Sequence, residues 1–241
     1  MSKNKKTGEI KPLKNRFLRS EKPENLYVTF ALYFVMIFMS CLLIFVYLVG
    51  MCRVQKSSMN PTLYDGDHLL MLKNPSSFVV GDIITFRAEV DGEEETLIKR
   101  VIGVGGDKIV FVERSAGETD IVDIYRKKAG DTKFELMRED YLDGDDPMLK
   151  SKVLKPDNKN PGKFAGNVVA WNATEEEREK SALLVDEGRL LVLGDNRNDS
   201  IDSRYFGLIS ADAVSGKMFY RLTKGSILER LLLLIYNKDV I

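Results

Sequence analysis

The chain has 241 residues and 27.3 kDa, 44% hydrophobic and 30% charged, which supplies apolar side chains for one or two packed domains and excludes a disordered tail. Its 36 Lys and Arg balance 36 Asp and Glu, so no global basic excess speaks for nucleic acid, and two cysteines in all exclude a disulfide scaffold.

The charges are segregated along the chain. Residues 1–24 carry Lys3, Lys5, Lys6, Lys11, Lys14, Arg16, Arg19 and Lys22 against Glu9, Glu21 and Glu24, a net charge of +5. From Leu26 to Met51 no charged residue occurs. As a helix that run exceeds the ~30 Å hydrocarbon core of a bilayer, so a basic tail at 1–25 and a transmembrane anchor at 26–52 are expected. The run also exceeds the roughly 7–15 apolar residues of a cleaved leader. By the positive-inside rule the N-terminus stays cytoplasmic and the remainder is exported, making a single-pass protein of the plasma membrane. Cys41 and Cys52 lie in or at the edge of this run, so the exported part has no thiolate to offer a metal. It has one histidine, His68, too few imidazoles for a transition-metal site, and no metal is expected.

Past the anchor the apolar pattern becomes short and β-like. Strands are expected at 68–72, 82–88, 96–104 and 108–112, then at 189–193 and 213–222, separated by turn formers such as Tyr64-Asp65-Gly66, Gly81 and Asp91-Gly92. The spacing favours an antiparallel β architecture. Residues 111–187 hold 18 acidic and 13 basic side chains and include Asp143-Gly144-Asp145-Asp146, a Pro- and Asn-rich segment at 155–162 and a short helix at 174–181. This stretch reads as a solvated acidic insertion, and the Asp143–Asp146 cluster as a solvated turn that lacks calcium-loop spacing. The expected fold class is therefore mostly β. A core formed by 53–110 and 188–226 is split by an inserted subdomain at 111–187, preceded by one transmembrane helix and followed by a C-terminal helix at 227–241. The apolar run within that last segment, Leu231–Tyr236, is too short to span a bilayer and is expected to pack on the core.

Three stretches carry residues that a fold alone does not demand. The first is Ser57-Ser58-Met59-Asn60-Pro61-Thr62-Leu63, a few residues past the anchor. The second is Thr96-Leu97-Ile98-Lys99-Arg100-Val101-Ile102-Gly103, in which two adjacent cations must face opposite sides of a strand. A lysine on an apolar face loses its proton more readily, which suits it to general-base work; a lysine at a sheet edge merely discourages aggregation. The third is the polar run 194–207, in which Asp202 and Arg204 can pair and Ser200 can hydrogen-bond an amine. A serine nucleophile needs a base, and nothing near His68 resembles the orienting partner of a triad, so a Ser-Lys arrangement stays open.

Together these stretches resemble the type I signal peptidases, bacterial Ser-Lys leader peptidases. The resemblance rests on Ser58-Met59-Asn60-Pro61-Thr62-Leu63, on Gly66-Asp67, on Lys99-Arg100 followed by Gly103 and Gly106-Asp107, and on Gly194-Asp195-Asn196-Arg197 with Ser200, Asp202, Ser203, Arg204, Phe206 and Gly207, in family order. It implies a signal-peptidase-like antiparallel β catalytic core and a serine endopeptidase that cuts exported preproteins after Ala-x-Ala-like sites, at the lipid bilayer and without a cofactor. Ser58 would be the nucleophile, Lys99 the general base and Ser200 a holder of the lysine amine. Asp202 and Arg204 would support the site, and Arg100 would be structural on the opposite face. The Ser58 backbone N–H would donate to the oxyanion, with Lys56 as a second candidate donor. Val54, Met59, Leu63 and Ile98 would line the substrate pockets. Two positions depart from the family pattern: Lys56 stands where well-known members carry serine or glycine, and Gly105 where many carry proline. The alternatives are a processing peptidase of narrow specificity for surface proteins and a catalytically silent, membrane-anchored peptide-binding module. Nothing in the sequence calls for an oligomer or for nucleic acid.

Overall fold

The computed structural model describes residues 23–90, 92–116, 119–142, 148 and 168–236. The basic tail at 1–22, the acidic turn at 143–146 and the segment at 155–162 lie outside them. The chain divides into two compact units, Met1–Phe45 and Val46–Ile241. Helix α1 (Pro23–Leu48) spans 26 residues, about 39 Å at the α-helical rise, and its described side chains are exposed almost throughout. One apolar helix of this length near the N-terminus satisfies the geometric need of a membrane span.

The expected anchor over 26–52 is corrected at its end. The helix stops at Leu48, and Val49–Arg53 form strand β1, paired antiparallel with β2 (His68–Lys73) from Val49↔Leu72 to Arg53↔His68. The switch has a physical cause: β2 offers a backbone ladder, and Val49, Met51 and Cys52 find buried apolar neighbours. Gly50 is a weak helix former, and the side chain of Lys73 packs over it with no room to spare for a Cβ.

The second unit, Val46–Ile241, is built on two sheets. The larger has seven strands in the order β1-β2-β12-β3-β4-β10-β11, where β3 is Ile83–Val90, β4 Glu93–Val104, β10 Arg189–Leu193, β11 Ile209–Ser210 and β12 Val214–Arg221. Every pairing in it is antiparallel. The β3–β4 hairpin closes with Val90 opposite Glu93, and Gly92 has φ 88°, a conformation that suits glycine in a two-residue turn. The second sheet runs β7-β6-β5-β8, with β5 at Lys108–Ala116, β6 at Thr119–Lys127, β7 at Glu135–Leu136 and β8 at Val168–Ala170; β9 (Leu183–Leu184) pairs with β5. The β5–β8 pairing, inside the 111–187 stretch, is parallel. Helix α2 (Glu175–Ser181) begins at a capping box in which Thr174 accepts from the Glu177 N–H and the Glu177 carboxylate accepts from the Thr174 N–H.

The described part of the 111–187 stretch contributes to the core. Phe111, Val122, Ile124, Met148 and Val185 share one buried cluster with Ile102 of β4 and Leu191 and Leu193 of β10. A second cluster, formed by Cys52, Val54, Met59, Leu63, Leu69, Met71 and Ile83, underlies the segment between β1 and β2. Helix α3 (Ser203–Phe206) is a single turn, and α4 (Ile227–Ile235) packs Leu232 and Tyr236 against Val49, Met51, Leu70 and Leu222.

Candidate active site

Ser58 sits in the segment that joins β1 to β2. Backbone bonds close the base of this segment, with Val54 N–H donating to Asp67 O at 2.8 Å and Gly66 N–H to Val54 O at 2.9 Å. Val54, Met59 and Leu63 anchor its underside, each no more than 2% exposed. From the third stretch, the Asn196 N–H donates to Ser58 O at 3.1 Å and the Asn196 Nδ2 to Ser57 O at 3.2 Å. Ser57 Oγ donates to Asp199 Oδ2 at 3.3 Å. The serine is thus held from below by apolar packing and from one side by a clamp that the sequence had not singled out.

Lys99 lies in β4, opposite Ile84 of β3, and is 2% exposed. Its Nζ is 2.9 Å from Ser58 Oγ and 2.9 Å from Ile98 O. Burial lowers its pKa from the ordinary 10.5 to about 8; Asp202 opposes the fall, Lys56 reinforces it, and Asp195 and Arg204 add smaller opposing pushes. The two ligands of the amine are both neutral, so nothing in direct contact holds the lysine charged. When it is neutral, its lone pair can accept the Ser58 hydroxyl proton.

Arg100, the next residue, faces the other way and is fully engaged. Its Nε and Nη2 grip Asp195 at 2.8 and 2.6 Å, Nη1 donates to Gly81 O at 3.0 Å and Nη2 to Thr62 Oγ1 at 3.3 Å. The guanidinium lies 3.8 Å from the Tyr141 ring centroid. Arg197, 1% exposed, holds Glu139 with two nitrogens at 2.9 and 2.5 Å and also donates to Tyr141 Oη and Gly194 O. Glu139 and Tyr141 were missed from sequence, and Asp195 stood in the third stretch without an assigned role. A buried arginine on the face opposite Lys99 demanded a carboxylate, and that demand was the available signal.

Asp202 and Arg204 pair as expected from their spacing, at 2.8 Å from Nε and 2.7 Å from Nη2. Burial pushes the Asp202 carboxyl up, but the Arg204 guanidinium and the Gly194 N–H outweigh it and hold the group below its ordinary value. Ser200 lies at the site without being bonded to the lysine. It lines the same cavity as Lys99, yet its buried Oγ makes no hydrogen bond to the amine. A Cβ at Gly194 would stand 2.0 Å from Ser200 Oγ and 2.5 Å from Ser58 O, so both segments cross directly over the glycine. Only glycine permits that crossing.

Lys56 adopts φ 68° and places Nζ 3.5 Å from Glu95 Oε2, in an ion pair whose side chains are 76% and 39% exposed. Two open cavities of about 400 and 290 Å³ meet at the dyad and share Lys56, Ser58, Glu95, Leu97 and Lys99. Val54, Met59 and Ile98 line the first. Leu63 lines neither of these two and packs in the underlying core. His68 pairs with Glu229 at 2.7 Å, away from Ser58.

The model of the family described as signal peptidase, peptidase S26, matches residues 27–223. The chain belongs to this family. Its members are serine peptidases, and the apolar N-terminal helix accords with the membrane anchoring of its relatives. Signal peptidase I of Bacillus caldolyticus is 30% identical over 173 residues, covering 70% of this chain and 76% of that protein. Signal peptidase IB of Staphylococcus aureus (strain Mu50) is 29% identical over 182 residues, covering 73% and 78%. The crystal structure of a signal peptidase I from Enterococcus faecalis V583 is 27% identical, covers 60% of this chain and 98% of its own, and gives a TM-score of 0.32.

Proposed function

We propose that this signal peptidase is a membrane-anchored Ser-Lys endopeptidase that removes N-terminal signal peptides from exported preproteins. The observation that carries this reading is the 2.9 Å contact between Ser58 Oγ and a buried Lys99 whose pKa falls to about 8. Neutral Lys99 takes the Ser58 proton as the oxygen attacks the scissile carbonyl, forming an acyl-enzyme and releasing the mature chain. Lysine then returns the proton to the leaving amine and activates the water that frees the signal peptide. Among the described residues the Ser58 N–H donates to no acceptor, which suits it to the developing oxyanion. Asp202 and Arg204 act by positioning, since the Gly194 N–H is bonded to Asp202 and Gly194 abuts Ser58.

Val54, Met59 and Ile98 form the apolar part of the larger cavity, whose remaining lining includes Arg53, Lys56, Glu95 and Lys99, and the buried Val54 and Met59 limit its depth, which suits small residues before the cut. The net charge of +5 in residues 1–24 supports, by the positive-inside rule, a cytoplasmic N-terminus and an exported catalytic unit.

The decisive experiment is cleavage of a leader-bearing preprotein by the full chain in lipid, with the new N-terminus mapped by mass spectrometry. The parental protein is expected to cut after a small residue, and Ser58→Ala and Lys99→Ala to lose roughly 10³-fold or more while keeping their thermal unfolding transitions. Cleavage by either folded variant at the parental rate sinks the dyad.

A further inference from the structure

The C-terminal helix presents an apolar face to the outside while packing another on the core. On its buried side Leu232 and Tyr236 join the cluster of Val49, Met51, Leu70 and Leu222, and Glu229 Oε1 meets His68 Nδ1 at 2.7 Å. The opposite side carries Ile227, Leu228, Leu231, Leu234 and Ile235, exposed by 87, 47, 55, 82 and 41%. At 100° per residue these five form one continuous arc of about 120° without a polar residue, and exposed Arg230 borders it. A nine-residue helix that merely covered a core would turn its polar side outward. Here the polar Glu229 is turned inward, and a hydrogen-bonded histidine stabilises it there.

The position of the helix in the fold identifies the occupant. Tyr236 Oη donates to Val49 O at 2.9 Å, and Val49 is the residue directly after the apolar span ends at Leu48. The far end of a nine-residue helix lies only about 14 Å from its near end. The whole apolar arc is therefore tethered within a helix length of the point where the chain leaves the bilayer. Lys73, which donates to Val46 O, adds a cation at that exit, and Arg230 adds another at the edge of the arc. Apolar side chains rimmed by cations at a fixed short distance from a membrane span match the chemistry of an interfacial helix.

We propose that α4 lies in the lipid headgroup–acyl boundary and forms a second, surface attachment of the catalytic unit to the same bilayer. Its apolar arc replaces water with acyl chain, and its buried face holds β1 and β2, the strands that flank the Ser58 segment. The sheet edge beside the active site is thereby seated on the membrane, where a signal peptide arrives.

The test uses the full chain in nanodiscs with Trp171→Phe, which removes the only native tryptophan. Single reporters Leu231→Trp and Leu234→Trp are then read with brominated lipid and with aqueous iodide, and Leu136→Trp on β7 serves as an exposed control. Several-fold stronger bromolipid quenching and weaker iodide quenching at 231 and 234 than at 136 are expected. Iodide quenching at 231 and 234 equal to that at 136 overturns the proposal. Protection from both quenchers overturns it in favour of a second copy of this chain or another protein. The readout does not need turnover, so it stands or falls separately from the peptidase assignment. In active protein, Ile227→Glu with Leu234→Glu is expected to slow cleavage of a bilayer-inserted preprotein several-fold and to leave a short water-soluble peptide unaffected. An equal loss on both substrates speaks for a folding defect and against the membrane role.

Discussion

Lys99 and Arg100 are neighbours on one strand, both buried and both cationic in composition, yet their surroundings are opposite. Arg100 faces a carboxylate that grips it with both oxygens, a carbonyl, a hydroxyl and an aromatic ring. Lys99 faces two neutral oxygens, and its nearest carboxylates act only through space. Burial alone therefore does not make a base. A buried cation given a bidentate partner becomes a structural rivet, and one denied a contact anion becomes a group that can lose its proton near neutral pH.

The contrast is broken most severely by exchanging the chemistry of the two cations. Lys99→Arg keeps charge and length but cannot deprotonate, so the cleavage rate is expected to fall by roughly 10³-fold or more even where the fold survives. Activity retained by this variant, measured on the same preprotein, would show that Lys99 acts as a cation and not as a base. On the other face, Arg100→Met strands the Asp195 carboxylate, whose side chain has no exposed surface. A loss of roughly 3–5 kcal/mol is expected, read as a drop in unfolding midpoint of about 10 °C for a unit of this size. The double variant Arg100→Met with Asp195→Leu should recover a large part of it. A single Arg100→Met that melts like the parent would mean the rivet contributes nothing.

Lys99→Met is expected to change stability in the opposite direction. The folded state binds the lysine proton more weakly than the unfolded chain does, so a charged Lys99 penalises the fold below about pH 8. The penalty disappears as pH rises from about 8 to the ordinary 10.5, where the unfolded chain also loses the proton. Removing the ammonium is therefore expected to stabilise the protein by roughly 3 kcal/mol at most at pH 7, an advantage that fades above pH 8. Thermal melts of both proteins across that range check the sign, and a variant less stable than the parent at pH 7 refutes it. The same depressed pKa predicts that kcat/KM of the parental enzyme rises about tenfold per pH unit on the acid side and levels off above about pH 8.

Much of this contrast was legible in the sequence because it depends on strand alternation and motif order. Adjacent Lys99 and Arg100 had to face opposite sides, and the pairing of Asp202 with Arg204 is local. The rest depends on contacts between segments far apart in the chain. Asp195 meets Arg100 across 95 positions, and Glu139 and Tyr141 come from a stretch whose composition suggested solvated loops and a small appended subdomain. The close crossing of Ser200 over Gly194, with no hydrogen bond from its hydroxyl to Lys99, is a contact that motif matching does not encode. The anchor boundary moved because an apolar run reads the same in a helix and in a buried strand, and only β2 decides where one becomes the other. The outward apolar arc of α4 was hidden for the same reason, since a run of leucines does not reveal which side the core will take.

The smallest expected effect sharpens the contrast at the rim of the site. Lys56 contributes to lowering the Lys99 pKa, but it is largely exposed and spends part of its field on Glu95. Two roles for it make different predictions. If it acts only through its charge, Lys56→Met moves the acid limb of kcat/KM to higher pH by less than about half a unit, leaves the high-pH plateau untouched, and loses even this shift as salt screens the exposed pair. If its ammonium donates to the oxyanion, the plateau itself falls, by roughly 10²-fold for a lost donor, and salt does not restore it. The geometry favours the first outcome, because the ammonium is drawn to Glu95 while the Ser58 N–H stands without an acceptor among the described residues. A pH profile of Lys56→Met at low and high ionic strength separates the two, and a depressed plateau would add Lys56 to the proposed catalytic pair of Ser58 and Lys99.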